Sequence, residues 1–589
     1  MSSPASEDPV AVELRTSAGR LGAVAIFSGV VNVLMLSGSL YMLQVYDRVI
    51  PSRSVATLVG LSAMVIAAYL FQAYFDAARA RMLSRVGTLF DISLQKRIYL
   101  AIATLPLRGA KAVLAQQPLR DLDQIRMFLS SAAPTAFLDI PWTPIFVIAL
   151  FFFHPLIGIA AMLGAATIVA LTVTTERRSR AAARIVLDSS AQRQVLADST
   201  YQNAEVIRAL GMTSRFTARW LEANERYLRQ NFGVADVHAN IGAIAKSIRF
   251  MLQSAVLGIG AYLVINEQAS GGIMIASSIM MGRALAPIEV ALANWKQLVA
   301  ARQGIRRLRD VLKTAAPPPA AAVELPRPYR TLSVEDISVT IPGANRAVLS
   351  DISFKLTAGT GMALIGASAA GKSSLVRALT GIWPVSKGVV RLDGAALDNW
   401  NPDDLGRYIG YLPQDVALFD GTVAENIARF DAAASSRAVL HAAQLAGAHK
   451  MILSLPNGYA TRIGERGSSL SAGQRQRLGL ARAVFGEPFL VVLDEPNANL
   501  DHDGELALFN AIEALRNNRS IVVMVSHRPE AIAALNVAMV LREGRMIAFG
   551  PRQELFARIA RSVKNNAPPV ASSANTPSQG ARALRGAPR

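Results

Sequence analysis

The chain contains no cysteine among its 589 residues, which excludes disulfide staples and every thiolate metal site. Acidic residues are in deficit: 42 Asp and Glu stand against 61 Lys and Arg, leaving a formal charge of +19. Such an excess has three sources: nucleic-acid binding, a basic tail, or basic residues retained on the cytoplasmic side of a membrane. Only its distribution separates them. No small-x-small cleavage pattern closes the first apolar run, so that run reads as a membrane helix rather than a secretory leader. What is abundant is apolar, with 52% hydrophobic residues and a mean hydropathy of +0.30, above ordinary soluble composition. The length suggests about three or four domain-sized units, a number that a membrane bundle reduces.

Apolar runs occupy residues 21–43, 55–75, 132–153, 156–173, 250–265 and 272–292. Each is near the length of about 20 residues that crosses a bilayer core. The two long connections, 76–131 and 174–249, carry Arg79, Arg81, Arg85, Lys96, Arg97, Arg177, Arg178 and Arg180, while the short ones carry few basic residues or none. The bias toward positive cytoplasmic loops places both termini and the long connections in the cytoplasm, with small periplasmic turns. These connections are helical in pattern, which predicts membrane helices extending well beyond the bilayer.

A Pro- and Ala-rich stretch, 315–328, marks a linker. After it, short apolar runs at 361–365, 408–412, 489–493 and 521–525 alternate with helical ones, the pattern of an α/β domain with a largely parallel sheet. From about residue 564 the composition is that of a disordered basic tail. The implied divisions are 1–20, a six-helix membrane domain at 21–312, a linker at 313–330, a nucleotide-binding domain at 331–563, and a tail at 564–589.

Gly366, Ala367, Ser368, Ala369, Ala370, Gly371, Lys372 and Ser373 form a phosphate loop between a strand and a helix. Backbone N–H groups of such a turn converge on phosphate, with Ser374 continuing into the helix. Lys372 reaches the β and γ phosphates, and Ser373 can ligate Mg²⁺. The apolar run 489–493 ends in Asp494, placed to hold Mg²⁺, and Glu495, placed to polarise the water that attacks the γ phosphate. An isolated acidic pair would read as a helix cap; behind a phosphate loop it reads as catalytic.

Residues 332–556 resemble the nucleotide-binding domain of an ABC transporter. The resemblance makes Gln414 the Q-loop glutamine, touching both Mg²⁺ and the attacking water. It makes Gly464, Glu465, Arg466 and Gly467 the X-loop of exporters. Leu470, Ser471, Ala472, Gly473 and Gln474 match the signature motif, Asn499 to Asp501 the D-loop, and His527 the switch histidine that contacts the γ phosphate. It implies two nucleotide domains closing face to face on ATP, with Ser471 and Gly473 of the other copy closing the open side and Ala472, Gln474 and Asp501 as further nucleotide-binding residues. Two departures stand out: Ile341 where an adenine-stacking aromatic is usual, and Ala472 where glycine is commoner.

The first half is finer grained. The segments YMLQVYDRV (41–49), QPLRDLD (117–123), LDIPWTP (138–144) and MGRALAP (281–287) resemble the type I protein secretion ATPase permeases, especially the protease-exporter branch. That resemblance implies a polytopic α-helical membrane domain of six spans, of the ABC exporter type, fused to an α/β P-loop ABC ATPase domain. It also implies a homodimer in the bacterial inner membrane, hydrolysing ATP with Mg²⁺ to export unfolded polypeptides bearing C-terminal signals. A membrane fusion protein and a TolC-like outer-membrane channel would complete the path. Only about 20 residues precede the first span, so no leader-cleaving peptidase domain is expected.

Two further readings concern charge at the membrane. Arg283, twelve residues past Gly271, falls about 18 Å into a hydrocarbon core of about 30 Å, so it either faces a watery path or pairs internally. Asp47 and Arg48 end the first span and either cap it or meet the fusion protein. A lipid or small-molecule exporter shares every ATPase motif and is the alternative. A nucleic-acid ATPase is excluded by six spans with charge concentrated in the cytoplasmic connections.

Overall fold

The computed structural model describes residues 8–109, 117–314, 325–343, 346–464, 467–526 and 528–558. The chain divides into two compact units, one almost entirely N-terminal and helical, the other C-terminal and built on sheets.

In the first unit α1 (Pro9–Gln44) starts on an Asp8 cap and passes through a π-helical turn, Val45–Val49, into α2 (Ile50–Ser52). Next come α3 (Val55–Thr104), α4 (Gln117–Ser130), α5 (Ala133–Asp139), α6 (Thr143–Phe153), α7 (Pro155–Gln202), α8 (Ala204–Ala209), α9 (Thr213–Ile265), α10 (Gly271–Ala293) and α11 (Trp295–Thr314). Five helical stretches among the described residues are long and apolar enough to cross a membrane, and Pro155–Leu171 is a shorter sixth. The helices α3, α7 and α9 run for 50, 48 and 53 residues, far beyond the apolar segments, as the polar but helical connections predict. Two boundaries differ from the sequence reading. Polar residues 9–20 are continuous with the first span rather than separate from it. The third span is broken by a 3₁₀ turn, Ile140–Trp142, where Pro141 removes a backbone donor.

Three of the four segments that fingerprint this half hold a carboxylate that ties helices together. Asp139 accepts from Arg79 of α3 at 2.8 Å and from Asn32 of α1 at 2.9 Å, and Arg79 also donates to Ser28 and Asp76. Arg79 is therefore a buried clamp between helices. Trp142 closes on the same helix at Gly29, where a Cβ would lie 2.6 Å from the indole. Asp121 of α4 is buried and held by both arms of Arg307 on α11, at 2.6 and 2.8 Å. Asp47 does cap a helix, but it is α10: it accepts from Gly272 N at 2.8 Å and from the Ser270 hydroxyl at 2.5 Å. Arg283 has no ion-pair partner among the described residues and is exposed on α10, a helix otherwise packed against α1, α5, α6, α7 and α9.

The second unit opens with β1 (Thr331–Thr340) and β2 (Ala347–Thr357), an antiparallel pair extended by β4 (Lys387–Leu392) and β5 (Ala395–Ala396). Then follow β3 (Gly361–Gly366), α12 (Lys372–Leu379), β4 (Lys387–Leu392), β5 (Ala395–Ala396), α13 (Pro402–Tyr408), β6 (Ile409–Leu412), α14 (Val423–Ile427), α15 (Ser436–Leu445) and α16 (His449–Leu453). The chain continues through α17 (Ala472–Val484), β7 (Leu490–Asp494), α18 (His502–Asn517), β8 (Ile521–Val525), α19 (Pro529–Ala533), β9 (Val537–Arg542) and β10 (Arg545–Pro551). The larger sheet has the order β10-β9-β3-β8-β7-β6, parallel except for β10. Strands β7 and β8 are buried at every position, as continuous apolar runs in a doubly covered parallel sheet should be. Hydrophobic clusters line both faces, and the carboxyl ends of β3 and β7 deliver Gly366 and Asp494 to one edge. Residues 315–324 of the expected linker, and the whole expected tail, lie outside the described residues.

Candidate functional site

The phosphate loop leaves β3 at Gly366, whose absent Cβ would stand 2.4 Å from the Leu541 carbonyl, so no side chain fits there. Ala369 (φ +63°) and Gly371 (φ +99°) adopt left-handed backbone, turning successive N–H groups into the concavity that suits an anion. Gly371 then starts α12, and the helix dipole points its positive end at the same space. Lys372 is buried with its amine donating to the carbonyls of Gly366 at 2.7 Å and Ala367 at 3.0 Å. Those bonds hold the lysine across the loop, where a phosphate oxygen can replace one carbonyl.

Beside it, β7 ends in Asp494, 4% exposed. Ser373 at the start of α12 hydrogen-bonds that carboxylate, and burial pushes its pKa above the usual aspartate range despite this bond. Glu495 has φ +50°, a left-handed kink that lifts its carboxylate off the strand end, and its N–H donates to the Val525 carbonyl at 3.0 Å. The Gln414 amide, two residues past β6, donates to Glu495 at 3.0 Å. Thus Ser373, Asp494, Glu495 and Gln414, predicted from three separate segments, come together at one sheet edge.

The signature segment is built as a helix start. Ser471 caps α17 by accepting from Gln474 N at 3.2 Å, and the Gln474 side chain accepts from Ser471 N at 2.9 Å, a reciprocal capping box. Ser471 and Ala472 are exposed at this N-terminus. Gly473 meets the chain's own D-loop, since a Cβ there would lie 2.9 Å from the Asn499 carbonyl. Asp501 caps α18 by accepting from Gly504 N at 2.9 Å and pairs with Arg477, and these bonds hold its carboxyl below the usual range. Gln474 and Asp501, expected on a nucleotide, therefore use their side chains on helix termini within this copy.

Sequence reading missed three contributors. Gln476 is buried and donates to the Pro496 carbonyl at 2.9 Å, tying α17 to the turn that follows Glu495. Arg477 binds the D-loop from the same helix, and Arg429 grips the helix at its far end. The spacing of Gln476 and Arg477 just behind the signature was the available signal. Ile341 directly follows β1 and is 37% exposed, an apolar surface in place of an aromatic. His527, Glu465 and Arg466 lie outside the described residues; Ser526 before the histidine is buried at the end of β8.

Two family models match the chain: an ABC transporter model over residues 349–498 and an ABC transporter transmembrane region model over residues 21–285. The type I secretion system ATP-binding protein PrsD of Rhizobium meliloti is 47% identical over 554 residues, covering 94% of this chain and 95% of that protein. The alpha-hemolysin translocation ATP-binding protein HlyB of Escherichia coli O157:H7 is 27% identical, over 91% of this chain and 76% of its own length. The cyclolysin secretion/processing ATP-binding protein CyaB of Bordetella pertussis is 25% identical, over 91% and 76%. A bacterial Atm1-family ABC exporter solved with ATP bound superposes with a TM-score of 0.79 at 21% identity, covering 94% of this chain and 99% of that one.

Proposed function

The chain belongs to the ABC transporters of the type I secretion system, multi-pass inner-membrane exporters with a cytoplasmic ATPase, and from that membership we propose how its residues use ATP and what they move. Two copies close on two ATP molecules. The phosphate loop from Gly366 to Ser374 of one copy holds the phosphates, with Lys372 on the β and γ groups. The exposed N-terminus of α17 in the other copy, carrying Ser471, Ala472 and Gly473, closes the side left open, because charge on a γ phosphate needs compensation from more than one direction. Gln474 and Asp501 of that copy hold α17 and the D-loop at this interface.

Ser373, Asp494 and Gln414 fit Mg²⁺: all present oxygen, and the buried Asp494 carboxylate has a raised pKa that a hard cation would relieve. Bound there, Mg²⁺ would offset charge on the phosphate oxygens. Glu495, kept oriented by the Gln414 amide at 3.0 Å, accepts the proton of the attacking water. His527 follows β8 and contacts the γ phosphate.

The cargo is an unfolded polypeptide with a C-terminal signal, handed to a membrane fusion protein and an outer-membrane channel. The observation that carries this reading is identity of 47% running through the membrane unit as well as the ATPase. It favours type I secretion over the lipid or small-molecule alternative. Comparing culture supernatants of wild type and a Glu495→Gln strain tests it. Loss of one or a few proteins is expected, with hydrolysis reduced by about 10²- to 10⁴-fold; an unchanged supernatant would contradict protein export.

A further inference from the structure

Arg429 has no place in the motifs of the ATP site, yet it is the most heavily committed arginine of the ATPase unit. It follows α14 with a left-handed backbone (φ +57°), a conformation costly for any residue other than glycine and retained where the surroundings require it. Its guanidinium makes four bonds to backbone carbonyls. Nε donates to Arg482 O at 3.0 Å and Nη2 to Ala483 O at 3.0 Å, while Nη1 reaches Gly406 O at 2.6 Å and Ile409 O at 3.2 Å. Burial and then the charge of Arg482 lower its pKa to about 10, so it stays charged at neutral pH.

Those four carbonyls belong to two elements. Arg482 and Ala483 are the last turn of α17, whose unpaired carbonyls and dipole favour a cation. Gly406 and Ile409 close α13 and open β6. The same region is closely packed: a Cβ on Gly410 would lie 2.1 Å from Ala483 O, and one on Gly479 would lie 2.7 Å from the Val416 side chain and 2.8 Å from that of Leu412. Asn426 fastens α14 to the segment after Gln414, exchanging bonds of 2.9 Å each with Phe419 N and Phe419 O. At their other ends, β6 leads to Gln414 and α17 begins at Ser471.

We propose that Arg429 is a positioning residue that makes α17 and the Gln414 segment one rigid piece, coupling the two ATP sites of the dimer. The inference rests on the proposed ATP sandwich, in which Gln414 serves its own copy's nucleotide and Ser471 the partner copy's. A shift of Gln414 on nucleotide binding then moves Ser471 in the opposite site. Lysine carries the charge but not the planar fork, so it reaches fewer of the four carbonyls.

The test is steady-state hydrolysis by full-length protein in lipid, as a function of ATP concentration, for wild type, Arg429→Lys and Arg429→Gln. Nucleotide affinity is measured in parallel with a fluorescent ATP analogue, and folding by thermal unfolding. The expected result is a Hill coefficient falling toward 1 and kcat lowered about fivefold or more, with analogue affinity within about twofold of wild type and no rescue by lysine. A folded Arg429→Lys protein with the wild-type Hill coefficient and kcat overturns the proposal. So does a fall in melting temperature and total activity with cooperativity unchanged, the signature of a simple structural pin. A wild-type Hill coefficient of 1 overturns the sandwich and the coupling together, whereas cooperative wild type with cooperative variants overturns the coupling alone.

Discussion

Replacing Asp139 by leucine should unfold the membrane unit far more easily than replacing Asp139 and Arg79 together. Asp139 takes two contacts from one Arg79 nitrogen, at 2.8 and 3.1 Å, and one from Asn32 at 2.9 Å. Without it, the Arg79 guanidinium stays buried with Ser28 and the half-exposed Asp76 as its remaining partners. Breaking a buried pair by removing one member costs about 3–5 kcal/mol, and the surviving Asp76 contact argues for the lower end, about 3 kcal/mol. Removing both members for apolar residues of similar volume is often close to neutral, so Arg79→Met with Asp139→Leu should cost less than Asp139→Leu alone. The expected coupling is about 2 kcal/mol, readable as a double-mutant cycle by denaturant unfolding in a single detergent. Additive losses, or an Asp139→Leu protein within about 1 kcal/mol of wild type, would refute the clamp.

Gly272→Ala should destabilise more than Asp47→Ala, because the new Cβ would stand 2.5 Å from the Asp47 carboxylate, whereas losing a cap costs about 1 kcal/mol. Combining the two should recover part of the Gly272→Ala loss in thermal unfolding, since the clash disappears. Asp494 has a raised folded pKa, so its contribution to the nucleotide-free fold is fully present below the ordinary aspartate pKa and is lost as pH rises through the raised one. Asp494→Asn should therefore stabilise nucleotide-free protein more at pH about 8 than at about 4, a difference that melting curves at the two values measure, while hydrolysis is abolished. Asp121→Asn should loosen α4 from α11 by weakening the two-armed Arg307 contact, raising protease sensitivity in α4 without altering ATP affinity.

The ATPase site was largely legible because its residues sit at the ends of uninterrupted apolar strands, where β7 and β8 announce themselves by composition and the phosphate loop by its glycines. Strand β1 was not read, since register shifts at residues 334–340 break the alternation that identifies an antiparallel strand. Gln474 and Asp501, expected at the nucleotide, use their side chains at the starts of α17 and α18 in the nucleotide-free chain, local bonds that the sequence pattern also permits. Arg79 looked like one more cytoplasmic charge because its partner, Asp139, is 60 residues away and leaves no local pattern. Arg429 was invisible for the same reason: all its partners are backbone carbonyls, which any sequence would supply.

The face-to-face ATP sandwich is the centre of the account, and the absence of cysteine makes it directly measurable. One chain carrying Ser368→Cys and another carrying Ser471→Cys, both with Glu495→Gln, would be co-expressed and treated with a short thiol cross-linker. The account predicts a cross-linked pair of the two different chains that forms with ATP and Mg²⁺ and not without nucleotide. Equal cross-linking with and without ATP, or none between the two chains, would contradict it.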